Sequence, residues 1–80
     1  MEELERHLAR CCRAHLVTYL GYKRKDVMNL SPTELFKLVY PDMMEHFRDG
    51  TAVLYGNGSV AFAFALRLGW VSEDGRLLID

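Results

Sequence analysis

Asn57-Gly58-Ser59-Val60-Ala61-Phe62-Ala63-Phe64-Ala65-Leu66-Arg67-Leu68-Gly69-Trp70 is the stretch on which the fold turns. Val60, Phe62, Phe64, Leu66, Leu68 and Trp70 alternate with Ala61, Ala63, Ala65 and Arg67, a match to the strand period of two, and Asn57-Gly58 ahead of them is a hairpin turn signal. Read that way, Thr51–Tyr55 and Val60–Leu66 form a hairpin. The same letters hold three alanines, two leucines and an arginine, all good helix formers, with Ser59 available as a cap and Gly69 as a stop. Both readings stay open at this point, and the propensities favour the helix.

Toward the C-terminus, Trp70-Val71, the turn Ser72-Glu73-Asp74-Gly75 and Arg76 to Ile79 predict a terminal hairpin turning at Asp74-Gly75. Toward the N-terminus, Leu4, Leu8, Cys11, Cys12, Leu16, Tyr19 and Leu20 recur at steps of three and four, which predicts an amphipathic helix over Glu2 to Leu20 ended by Gly21. Lys23 to Leu30 predicts a short second helix. Ser31-Pro32-Thr33-Glu34 then combines an N-cap serine, proline at the first helical position and a capping-box glutamate, so a helix through Leu35, Phe36, Leu38 and Val39 follows. Pro41 is expected to interrupt it, with Asp42 to Asp49 forming another short helix that buries Met43, Met44 and Phe47 and stops at Gly50.

The run from Ala65 to Ile79, helix, glycine, short strand, acidic-glycine turn and second strand, resembles the end of a winged-helix domain. The resemblance covers the last quarter of the chain and implies a wing after a third helix. Such domains usually bind DNA through that helix and wing, and some dock proteins instead. Here Ser59 to Leu68 offers only Ser59 and Arg67 as polar side chains, too few donors to read bases in a major groove. The fold class expected is therefore α+β, mostly helical, winged-helix-like, with an N-terminal amphipathic helix, short helices and a C-terminal β-hairpin.

The 80 residues predict one domain, and folding at this size buries only roughly 60% of the extended chain's surface. Half the residues are apolar and 26% are charged, an ordinary globular composition. The acidic start Met1-Glu2-Glu3-Leu4-Glu5 does not fit a secretory leader, and no apolar run approaches a membrane span. Adjacent Cys11 and Cys12 read as free thiols of a reducing compartment, so a cytoplasmic location without a membrane partner is expected.

Net charge is only −1, yet the window between Glu5 and Asp26 holds no acidic side chain and carries Arg6, Arg10, Arg13, Lys23, Arg24 and Lys25. Arg6, Arg10 and Arg13 are spaced by four and three and form one stripe on a helix. Like charges at that spacing repel by a few tenths of a kcal/mol per pair, strain that an anionic partner removes. Planar guanidinium forks suit phosphates, and with Arg67 and Arg76 the six cations make up the candidate surface for nucleic acid or an anionic partner. The plainer reading is a solvated face whose arginine stems cover apolar surface.

His7, Cys11 and His15 lie at successive steps of four, but His7 and His15 are ~12 Å apart along a helix axis, too far to share one zinc ion. Two surface histidines and a partly buried thiol account for the same letters, and neither a metal nor another cofactor is expected. Cys11 or Cys12 as a nucleophile lacks a placed base, and Gly56-Asn57-Gly58-Ser59 lacks the lysine and spacing of a P-loop, so no catalytic residue is assigned. On a helix Phe62 and Phe64 lie about 200° apart, which directs one toward a partner and makes a homodimer plausible.

These features together predict a non-enzymatic small binding or regulatory module whose basic first helix contacts a nucleic-acid backbone. The alternative is a protein–protein interaction adaptor, or a small inhibitor of a larger assembly. From Pro41 onward acids outnumber bases six to three, which favours that alternative.

Overall fold

The computed structural model describes residues 2–48 and 57–79. Four helices follow in order, α1 Glu2–Thr18, α2 Arg24–Val27, α3 Pro32–Arg48 and α4 Asn57–Leu68. α1 is the central element and packs on α4, α3 and α2. Its buried side is Leu8, Ala9, Cys12, His15 and Leu16, the three-four spacing anticipated from the sequence. The helix ends at Thr18, so Tyr19 and Leu20 leave the apolar seam and are exposed. The chain turns there through Gly21, and Tyr22 N–H closes the end by donating to the Leu16 carbonyl at 3.0 Å.

α3 begins as its sequence dictates. The Glu34 N–H donates to Ser31 Oγ at 3.3 Å while the Ser31 N–H donates to Glu34 Oε1 at 2.9 Å, a complete capping box. Pro41 does not break this helix, which runs continuously to Arg48. The amide that proline lacks would have met the Lys37 carbonyl. Both residues are exposed, so solvent can satisfy that carbonyl while Val39 and Met43 stay fully buried on the opposite side. The expected stop at Gly50 lies outside the described residues.

Within the 57–70 stretch, Asn57–Leu68 is a helix, as its propensities favoured. Ala61 and Ala65, one turn apart, are both fully buried, and they define a narrow contact line of small residues. At 100° per residue Phe62 and Phe64 flank that line on either side, and both pack, partly buried, against the core. The alternation of large and small residues thus serves a helix seated deeply enough for two phenylalanines to reach inward, and neither is turned wholly outward. α4 starts two residues before Ser59, which is therefore not its cap. With Val60–Leu66 helical the hairpin to Thr51–Tyr55 does not form; Thr51–Tyr55 itself lies outside the described residues. Gly69, at φ +79, ends α4: Trp70 N–H donates to the Ala65 carbonyl at 2.9 Å and Gly69 N–H to the Leu66 carbonyl at 3.2 Å, the paired bonds of a Schellman motif.

The α+β class and the C-terminal β-hairpin are corrected by the structure, which is mostly helical and has no strand among the described residues. One isolated antiparallel bridge, Val71 to Leu77, is all that remains of the wing implied by the winged-helix resemblance. The physical reason is length. Ser72 to Arg76 is spent on a tight turn, Ser72 Oγ bonding Asp74 Oδ1 and accepting the Arg76 N–H at 2.9 Å, so too few residues flank it to extend a ladder. Ser72 N–H donates to the Arg76 carbonyl at 2.9 Å and Leu78 N–H to the Trp70 carbonyl at 2.7 Å, and side chains fasten the segment to the helices. Trp70 meets Phe36 with ring centroids 5.9 Å apart, Val71 is buried, and the Tyr40 hydroxyl donates to the Gly75 carbonyl at 2.5 Å.

A candidate anion-binding groove between the first two helices

Arg10, Arg13, Ala14, Val17 and Thr18 stand at i, i+3, i+4, i+7 and i+8 on α1, a single stripe beside the buried one. The loop after Gly21 carries α2 back along this stripe, and Val27, fully buried, fastens it to the core. Between the helices lies a groove of about 380 Å³, lined by that stripe and by Arg24, Val27 and Met28. Three guanidinium-bearing side chains therefore border a floor of Ala14, Val17 and Val27. Met28, 55% exposed, stands at the groove's edge.

Of the cations anticipated from the sequence, the structure brings Arg10, Arg13 and Arg24 together. Arg6 is exposed one turn before Arg10, and Lys23 and Lys25 are exposed on either side of Arg24. None of these six forms an ion pair among the described residues. The two outlying candidates do not join them. Arg67 is exposed in the last turn of α4, and Arg76 approaches its neighbour Asp74 at 3.9 Å in the C-terminal turn. Neither lines the groove.

The remaining candidate chemistry is absorbed by packing. His15, expected on the surface, is buried, its Nε2–H donating to Asp42 Oδ2 at 2.9 Å and its ring lying 5.0 Å from that of Tyr19. His7 is partly buried and stacks on Phe64 at 5.9 Å, with Glu3 3.8 Å away. Both thiols are free. Burial pushes Cys12 up to about 12, with a smaller push from Cys11 and an opposing pull from Arg13, and burial also raises Cys11 against the pull of Arg10. Neither has the lowered pKa of an activated nucleophile. Among the described residues no three His, Cys, Asp or Glu side chains are grouped to hold a metal ion, and no helix is long and apolar enough to cross a membrane.

No family model, curated protein or solved structure matches this chain. Function has to be argued from the groove itself. Sequence reasoning found its basic rim but missed the floor, because Val17 and Val27 come together only once α2 is placed. The i, i+3, i+4, i+7 and i+8 spacing from Arg10 to Thr18 was the available signal.

Proposed function

We propose that this chain is a non-enzymatic, cytoplasmic binding module that grips the phosphate backbone of a nucleic acid in the α1–α2 groove. One observation carries the reading: Arg10, Arg13 and Arg24 converge from two elements on one concavity, and no carboxylate of the described residues pairs with them. Converging arginines repel one another, and their planar forks donate two parallel hydrogen bonds to a phosphate. Arg6, Lys23 and Lys25 extend the basic surface at both ends and add sequence-independent attraction.

The test is binding of fluorescently labelled nucleic acid at two salt concentrations, by the native protein and by a variant with Arg10, Arg13 and Arg24 all changed to alanine. Phosphate contact gives affinity that falls with salt, and a slope that shrinks in the triple variant. Absence of binding at low salt overturns the reading. It would leave the second one, an adaptor or small inhibitor docking on an acidic protein surface. That alternative draws on exposed Tyr19, Leu20 and Tyr22 at the end of α1.

A further inference from the structure

We propose that the α1–α2 groove selects single-stranded over double-stranded nucleic acid, seating an unstacked base on Val17 and Met28 while Arg10, Arg13 and Arg24 hold the adjoining phosphates. The inference rests on the nucleic-acid reading above and names its substrate class. A surface that meets only duplex phosphates needs cations on a flat or convex face, since duplex bases are stacked on one another with their faces hidden. This groove has more than that. Beneath its guanidinium rim lies an apolar floor, and an apolar floor gains nothing from a phosphate.

A base swung out of a single strand supplies the missing counterpart. It is planar, apolar on its faces and joined to an anion on each side, the same order of chemistry the groove presents from floor to rim. Proteins that take single strands pair a cationic track with surfaces on which bases stack, and arginine guanidinium planes also stack on bases. Met28 suits the part that aromatics often play: its thioether is polarisable, flexible and favourable against ring systems, and it stands 55% exposed in the unliganded protein. Val27 below it is fully buried and fixes α2, so the floor is held in place before any ligand arrives. The volume, about 380 Å³, lies at the small end of the ~300–1,000 Å³ typical of small-ligand sites, enough for one nucleotide and too confined for a duplex to enter. Tyr19, the most exposed aromatic among the described residues, is not part of this arrangement, since its ring leans on His15, on a different face of α1 from the arginine stripe.

The experiment is fluorescence anisotropy at low salt with labelled oligothymidylate, oligouridylate and a duplex of the same length, for the native protein, Met28→Ala, and the Arg10, Arg13 and Arg24 triple alanine variant. Met28 is exposed, so its truncation leaves the fold intact, which circular dichroism verifies. The expected result is that at least one single strand binds roughly two- to tenfold tighter than the duplex, the range that a methionine sulfur against a ring supplies. Met28→Ala then weakens the single strand several-fold and leaves the duplex unchanged, while the triple variant weakens both. Duplex binding as tight as that of both single strands, or equal losses for strand and duplex in Met28→Ala, overturns the inference and leaves the phosphate reading standing. No binding of any of the three overturns both.

Discussion

His15 of α1 and Asp42 of α3 meet within the helix packing, the imidazole Nε2–H donating to the carboxylate Oδ2 at 2.9 Å. The histidine is 1% exposed. Twenty-seven positions apart in sequence, the two residues tie the central helix to the one that carries Phe36 and Met43. The bond sits just past the proline of α3, where the helix was expected to break, and ties the second half of α3 to α1.

Changing Asp42 to alanine leaves a buried imidazole without this acceptor, and a cost of about 1–3 kcal/mol is expected. Asparagine at the same position keeps an oxygen for the Nε2–H and recovers part of it. Urea denaturation with an unchanged m-value would show both effects as shifts in midpoint.

The groove divides the arginines by position rather than by charge. Arg67→Ala and Arg76→Ala remove the same charge as Arg10→Ala or Arg24→Ala, yet they lie outside the groove, so they should leave nucleic-acid affinity nearly unchanged. Arg6→Ala, one turn beyond the lining residues, should fall between. Equal losses across all five variants would mean that net charge alone governs binding.

Cys12 gives the fold a pH dependence at the alkaline end. Its thiol is pushed from 9.0 to about 12 chiefly by burial, so an unfolded chain loses this proton first. The stabilisation from this group is fully present below pH 9 and is lost as pH rises toward 12. Comparing urea midpoints of the native protein and Cys12→Ala at pH 8 and pH 10.5 cancels the titration of other groups, and the native protein should show the steeper decline.

Gly75 holds the C-terminal turn at φ +86, and a Cβ there would come within 3.0 Å of Met44 Sδ. The methionine can shift, so backbone strain dominates the cost of Gly75→Ala, about 1–2 kcal/mol. Tyr40→Phe, which removes only the hydroxyl that reaches the Gly75 carbonyl, should cost about 0.5–1.5 kcal/mol. Because the two changes release the same turn, their combination should fall short of the sum in thermal denaturation.

At the start of α3, Ser31→Ala removes the cap and should lower stability by about 1 kcal/mol. The Ser31 N–H, followed by its hydroxyl, holds the Glu34 carboxyl below its usual range, so the capping contribution is complete above pH 4.5 and is lost as pH falls through the lowered value. Glu34→Gln should flatten that acid-side dependence, which denaturant titrations between pH 3 and pH 6 will reveal.

Local signals carried much of the structure. The buried face of α1, the capping box at Ser31 and Glu34, the glycine that ends α4 and the guanidinium stripe from Arg6 to Arg13 all depend on neighbours within about one turn, where spacing and side-chain chemistry suffice. What the amino-acid order left open was whatever depended on a distant surface. Phe62 and Phe64 satisfied strand and helix periods equally until Ala61 and Ala65 were pressed into the core, and only that close seating explains why both rings turn inward. Pro41 ends helices in isolation, but here the bond it omits falls on the solvent side while Val39 and Met43 hold the other. His15 looked like a surface residue because its partner lies on another helix, and the basic stripe became a lined concavity only when α2 folded back along it. Periodicity is a property of one helix, whereas a floor, a buried pair and the fate of a proline belong to the packing between helices.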